Sequence, residues 1–214
     1  MRSLTPMMRQ RYLAATGAAT DRPTPPQVWQ MTLSDGQDEG MEIEERSYRR
    51  PDLPRLIEQQ VLDFGRIVWF DGFMTEGRFR DRMHEVPDDT THFVRAAGSV
   101  LVSHVQVIPI ELEGRDRGLR IGGVSSVMTY PAFRNEGHST ALLRRASDHI
   151  GATEMDLGML FCDQETVPFY ERLGWHALAH DRVIVQENPD SEDRVMVLGD
   201  DALLPDTLTL EWSW

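Results

Sequence analysis

Between Val124 and Leu143 the sequence passes from an apolar strand into a polar loop and then into a helix, and this succession constrains the chain more than any other stretch. The run Val124-Ser-Ser-Val-Met-Thr-Tyr-Pro-Ala-Phe-Arg-Asn-Glu-Gly-His-Ser-Thr-Ala-Leu-Leu143 turns at Pro131 and enters its helix near Ser139. Ser139, Leu142, Leu143, Ala146 and Ile150 then fall on one buried stripe, leaving Arg144, Arg145 and Asp148 to solvent, and Gly151 is expected to end the helix. The first amides of a helix have no acceptor inside it, and the dipole adds about half a positive charge there, so such a start can hold an anion through main-chain donors. Gly137 permits close backbone approach and Arg134 adds charge. Two readings fit these residues: an anion-binding loop, or a capped turn with no ligand.

The surrounding pattern predicts an α+β domain. Glu42 to Arg46 reads as a first strand, and Leu56, Ile57, Val61, Leu62, Phe64 and Ile67 as the apolar face of a helix. Phe70, Phe73, Phe79 and Met83 suit a second short helix, closed by Pro87-Asp-Asp-Thr90. His92 to Ala97, Val100 to Leu112 and Leu119 to Thr129 are extended segments with hairpin links at Gly98-Ser99 and Glu113 to Gly118, an antiparallel meander. Leu157 to Cys162 is nearly continuous in apolar residues, as a central strand covered on both faces would be. Val167 to Leu173 reads as a short helix with Pro168 in its first turn and Gly174 at its end. His176 to Glu187, Arg194 to Leu198 and Thr207 to Trp212 close the chain as strands. Residues 1–40 differ, with Arg2, Arg9 and Arg11 before any acid and prolines at 23, 25 and 26, so they read as an N-terminal arm outside the domain at 41–214.

Cys162 is the single cysteine, which excludes an internal disulfide and a thiolate metal cluster and fits a reducing compartment such as the cytoplasm. Its apolar strand gives it a packing role. No metal site is expected. The net charge of −13 disfavours nucleic acid and anionic membrane as partners and favours a cationic one. Acids crowd the C-terminal part, where Asp181, Glu187, Asp190, Glu192, Asp193, Asp200, Asp201, Asp206 and Glu211 face only Arg182 and Arg194. A solvated acidic face and a cation-binding surface both fit that crowding.

Arg134-Asn-Glu-Gly137-His-Ser139, following a strand and the turn Pro131-Ala-Phe133, resembles the (Gln/Arg)-x-x-Gly-x-(Gly/Ala) acyl-CoA-binding motif of the GNAT superfamily of N-acetyltransferases. Ser139 departs from the usual small apolar residue. Val167-Pro-Phe-Tyr-Glu-Arg-Leu-Gly-Trp175 resembles a second signature of that superfamily, (Phe/Leu)-Tyr-x-x-x-Gly-(Phe/Trp), in the expected order. Together the two motifs organise the chain from about Met41 to Leu178. The resemblance implies a mixed central sheet flanked by helices, an antiparallel meander joined to a parallel strand pair that splays at the cofactor site. It implies acetyl-CoA as cofactor, with Val127, Met128 and Thr129 pairing their backbone to the pantetheine arm and Arg134, Asn135, Glu136, Gly137, His138, Ser139 and Thr140 at the pyrophosphate. It also implies Tyr170 as the general acid. Thiols titrate at about 8.5 and phenols at about 10, so a phenol can donate to a departing thiolate as its charge develops.

The attacking amine must lose a proton, and the residues leave the base open. Many members carry a glutamate before the cofactor loop, whereas this chain has Gly122-Gly-Val-Ser-Ser126. Ser125 could position a water, and His104, midway along the long meander strand, titrates near neutrality when unperturbed. Within the superfamily the chain is similar to aminoglycoside 2'-N-acetyltransferases, through Ser103-His-Val-Gln-Val-Ile108, a Gly-x-Val entry to the cofactor strand and the terminal Trp214. That similarity implies antibiotic resistance and a substrate site drawing on Ser125, Glu211 and the Trp214 carboxylate. Three functions follow: acetylation of a small cationic amine by a monomer or homodimer, acetylation of a protein or peptide, or a non-catalytic CoA-binding module.

Overall fold

The computed structural model describes residues 42–69, 86–186 and 192–210. The second short helix expected around Phe70 to Met83, the N-terminal arm, Glu211 and Trp214 lie outside the described residues. Strands β1 (Ile43–Arg49), β2 (Thr91–Ala97), β3 (Val100–Glu113) and β4 (Gly118–Thr129) pair antiparallel in that order. Gly98, at φ 60, supplies the left-handed residue that the tight turn between β2 and β3 requires. After β4 the chain crosses through helix α2 (His138–Ala152) and returns as β5 (Leu157–Cys162), parallel to β4. Strand β8 (Arg194–Leu198) pairs antiparallel with β5 and with the two-residue β6 (His176–Ala177). The seven-stranded sheet runs β1-β2-β3-β4-β5-β8-β6, the mixed meander-plus-parallel-pair fold that the resemblance implied.

Alternation along the strands separates two cores. On one face the α2 stripe of Leu142, Leu143, Ala146 and Ile150 covers Phe93, Val105, Val124, Leu160 and Trp175. On the other, helix α1 (Arg55–Val68) lays Ile57, Val61 and Phe64 over Val94, Leu101 and Met128. Further along that second face Ile121, Leu157, Met159 and Val197 meet Leu208 and Leu210. The neighbours Met159 and Leu160 therefore bury in different clusters, which explains the unbroken apolar run of β5.

Two glycines let the crossover close. Gly122 and Gly158 are partners in the parallel ladder. A methyl group on Gly122 would stand 2.7 Å from Ile150 Cγ1, and one on Gly158 would stand 2.9 Å from Trp175 Cη2. The missing side chains are the space into which α2 and Trp175 pack.

Several expectations change. The strand anticipated from His176 to Glu187 is broken: after β6 the chain leaves the sheet through a 3-10 turn at His180–Arg182, and β7 (Val183–Val185) pairs in parallel with β9 (Leu208–Leu210) as a separate ribbon. Arg182 fixes that departure, with its guanidinium on the Asp201 carboxylate at 2.6 Å and on the Asp201 carbonyl at 3.0 Å. Gly151 does not end α2, which continues to Ala152. Thr153 Oγ1 donates to the His149 and Ile150 carbonyls at 2.9 and 3.3 Å, so a hydroxyl rather than a glycine closes the helix. The apolar face of α1 is narrower than its sequence, since Leu56 and Ile67 are 57% and 67% exposed. Helix α3 spans only Val167–Glu171, and Gly174 at φ 88 belongs to the turn beyond it.

Candidate functional site

The ladder between β4 and β5 contains three residue pairs, Ile121–Leu157, Gly122–Gly158 and Gly123–Met159, and then ends. Past it β4 stays with β3 and β5 stays with β8, so a wedge opens between them. The open part of β4 is also bulged. Gln106 stands opposite Ser125 and His104 opposite Met128, leaving Ser126 and Val127 together across from Val105. Ser126 takes φ 52, a left-handed conformation that costs a serine energy and marks the bulge as imposed by its surroundings.

Beyond β4, Pro131–Phe133 forms a 3-10 turn and the chain reverses through two left-handed residues, Asn135 at φ 67 and Gly137 at φ 80. Arg134 Nε donates back to the Thr129 carbonyl at 3.2 Å, closing the loop on its own strand. Gly137 is the N-cap of α2 and supplies no side chain to the first-turn amides. The first bond into the helix is Ala141 N–H to the Gly137 carbonyl at 3.0 Å, so the amides of His138, Ser139 and Thr140 have no acceptor within it. A methyl group on Gly137 would meet nothing within 4 Å, and this end of the helix is therefore open.

His138 begins α2 with its ring buried between two partners. Its Nδ1 lies 3.1 Å from an Arg95 guanidinium nitrogen and its Nε2 3.1 Å from a Glu136 oxygen. Arginine can only donate, so Nδ1 accepts and Nε2 carries the hydrogen toward Glu136. The loop is thereby tied to β2. A further link runs from Arg95 through Glu45, which also meets Arg145 Nε at 3.2 Å.

On the far wall Thr166 precedes α3, and its backbone N–H and Oγ1 both donate to the Asp163 carbonyl, at 3.0 and 2.9 Å. Asp163 thus holds the start of α3 through its main-chain carbonyl. Tyr170 is buried at 8% exposure, packs edge-on to Phe169 with ring centres 5.1 Å apart, and belongs to the core under α2. Burial, with the neighbouring Cys162 and Asp163, pushes its phenol above the usual range, so it stays protonated. Cys162 is buried in the same core, and burial raises its thiol as well, in keeping with packing rather than reactivity.

These elements enclose a cleft of about 340 Å³. Val127, Met128 and Thr129 of β4, Arg134, Asn135, Gly137, His138 and Ser139 of the loop and helix start, and Tyr170 line it. Ser125, Glu136 and Thr140 do not line it; Glu136 and Thr140 each adjoin a residue that does, whereas Ser125 stands two positions before Val127. Phe133, Thr166, Phe169 and Val68 line it without having been foreseen. Phe133 and Phe169 sat inside the two quoted motifs, whereas Val68, at the end of α1, reaches the cleft through tertiary packing that no local pattern reports.

His104 is placed elsewhere. It is fully buried, with Nδ1 3.0 Å from the Ser126 carbonyl oxygen and Nε2 3.0 Å from His92 Nδ1. Burial lowers its pKa to about 4, against which the Ser126 bond pulls only partly. Both ring nitrogens are engaged inside the sheet, so the base role anticipated for His104 does not fit its geometry. Among the described residues lining the cleft there is no carboxylate.

A family model described as an acetyltransferase (GNAT) domain matches residues 58–178, more than half of the 214-residue chain. Among solved structures, an acyl-CoA N-acyltransferase from Pseudomonas aeruginosa superposes with a TM-score of 0.56 at 18% identity, covering 74% of this chain and 100% of that one. Escherichia coli ElaA superposes with a TM-score of 0.53 at 16% identity, covering 73% and 99%. A probable N-acyltransferase from Enterococcus faecalis gives 0.51 at 18% identity, covering 63% of this chain and 32% of that one, so the match spans about a third of that protein. At such identities the likeness concerns the fold. No curated protein matches the chain.

Proposed function

Because the chain belongs to the GNAT acetyltransferase family, we propose that it moves an acetyl group from acetyl-CoA to a primary amine of a small cationic molecule. The observation that carries this reading is the uncapped start of α2, which opens onto the cleft that Tyr170 lines from the opposite wall. Coenzyme A fits that arrangement in three respects. Main-chain donors at His138, Ser139 and Thr140 lack helical acceptors, Gly137 has no Cβ to block a diphosphate, and β4 has an edge without a strand partner beyond Gly123.

In this reading the amides of 137–140 and the Arg134 guanidinium hold the diphosphate, with Asn135 and Glu136 shaping the loop. The backbone of Val127, Met128 and Thr129 holds the pantetheine arm. The donor supplies a thioester whose carbonyl carbon the amine attacks. Tyr170 keeps its proton at Oη through the neutral range and offers it where the leaving sulfur becomes negative. With no carboxylate at hand among the described cleft residues, the amine gives up its proton to water. Ser125, one residue before the bulge, is a candidate to hold that water.

The net charge of −13 supports a cationic acceptor, and an aminoglycoside is one such molecule. We assign Glu211 and Trp214 to acceptor binding on sequence similarity. The catalytic domain in this reading is 41–214, acting in the cytoplasm as a monomer or homodimer, with residues 1–40 as an appended arm.

Calorimetry with coenzyme A tests the site, and thiol release from acetyl-CoA across aminoglycosides, polyamines and peptides tests the reaction. Binding with release on a small polyamine or aminoglycoside is expected. Absence of coenzyme A binding defeats the reading outright, and release only with peptides replaces the acceptor class.

A further inference from the structure

The wall of the cleft formed by Val127 to Thr129 keeps its shape through groups that lie outside the cleft. Ser126 sits in a left-handed conformation, and an isolated strand would relax it. Two contacts from β3 oppose that relaxation. Ser103 Oγ lies 2.7 Å from the Met128 carbonyl and 2.9 Å from Thr129 Oγ1, so Ser103 donates to the carbonyl and accepts from the threonine. His104 Nδ1 lies 3.0 Å from the Ser126 carbonyl oxygen. Both contacts hold main-chain carbonyls of the open half of β4 to side chains of β3.

The tautomers follow from the same distances. A carbonyl only accepts, so His104 Nδ1 carries the hydrogen. A neutral ring then leaves Nε2 bare, and His92 Nδ1, 3.0 Å away, must donate to it. His92 Nε2 is left bare as well, buried and without a partner. A second proton on His104 would set two N–H groups against each other. One on His92 would sit buried near Arg50 with nothing to receive it. Both rings are accordingly depressed, His92 to about 3 and His104 to about 4, burial being the first cause in each.

We propose that His92 and His104 form a directed latch on the Ser126 carbonyl that sets which backbone groups of Val127 to Thr129 face the cleft, making His104 a positioning residue for the acyl donor. The role at the donor rests on the coenzyme A reading above; the latch itself does not.

Ring-nitrogen NMR on the unmodified protein is the first test. His104 protonated at Nδ1 and bare at Nε2, with the same pattern in His92, is expected; the opposite tautomer in His104 overturns the latch even if every variant misfolds. The second test compares His104→Leu with His104→Asn, whose side-chain amide can stand where Nδ1–H was. His104→Leu should shift the amide signals of 126–129 and raise both the coenzyme A Kd and the acetyl-CoA KM by about ten-fold, the scale of one lost hydrogen bond, with kcat at saturating donor little changed. His104→Asn should recover most of both. A folded His104→Leu that binds as the unmodified protein does, or a His104→Asn no better than His104→Leu, defeats the proposal. If the unmodified protein binds no coenzyme A, the donor role falls with the reading it rests on, while the ring tautomers and the 126–129 signals still decide the latch.

Discussion

The two halves of β4 place one strand in two environments. From Ile121 to Gly123 it lies between β3 and β5 and is buried, with Gly122 pressed against Ile150. From Val124 to Thr129 it has one strand neighbour, bulges at Ser126 and is mostly half-buried. The closed half secures the fold through packing. The open half gives up a ladder and accepts a strained residue, and in return it leaves backbone groups free to meet a ligand. Stability and binding should therefore separate along this strand, and substitutions in each half test that separation.

The largest expected effect is on the open side. Tyr170→Phe removes the hydroxyl to which the proposed reaction assigns proton donation while keeping the ring that packs on Phe169. Turnover should fall about 10²-fold or more, with coenzyme A affinity and the melting temperature nearly unchanged. Unaltered turnover in a steady-state thiol-release assay would remove Tyr170 from the chemistry.

The closed side answers with stability instead. Gly122→Ala would place a methyl group 2.7 Å from Ile150 Cγ1 and 2.9 Å from Met155 Sδ. It should cost about 1–3 kcal/mol in urea unfolding, the usual penalty of overpacking, without changing the coenzyme A affinity of the folded protein. A loss of affinity as large as the loss of stability would mean that the two halves are coupled and that the division is artificial.

How far each half could be read from sequence follows from the same contrast. The closed half obeys local rules: apolar runs, glycine links and helix periodicity placed β2 to β5 and α2 within a few residues. The loop at Arg134 to Ser139 was legible because glycine and a helix start leave a pattern in one short stretch. The bulge was not, because Ser126 is an ordinary serine whose φ is imposed by β3 and by a histidine 22 residues earlier. For the same reason His104 read as a candidate base. Sequence shows a histidine in a strand, but not that both its nitrogens are already committed to partners. The break after Ala177 was likewise hidden, since it depends on Arg182 reaching carbonyls near Asp201.

Acid should expose the buried histidines. In the unfolded chain both rings protonate as pH falls through about 6.5, whereas in the fold they resist until about 4 and about 3. The unfolded state then binds more protons. Stability is complete above about 6.5 and declines as pH falls toward 4, at up to about 1.4 kcal/mol per pH unit for each ring. Urea midpoints at pH 7.5, 6.5 and 5.5 should decline less steeply for His104→Asn than for the unmodified protein. Equal slopes would mean that the rings are not held neutral.

The smallest effect is expected at Arg134, although it is the loop's arginine. Its side chain is exposed and its Nε already donates to the Thr129 carbonyl, so a bound diphosphate would share it with its own strand. An exposed charge in water contributes about 1 kcal/mol or less, whereas first-turn amides are fixed in place and need no ordering. Arg134→Ala should therefore raise the coenzyme A Kd only about three-fold at low salt, and less at 0.5 M salt as screening removes the charge. A hundred-fold loss would reverse that assignment: the open end of α2 would then be a scaffold for one guanidinium rather than the anion site, and the unpaired amides of 138–140 would need another explanation.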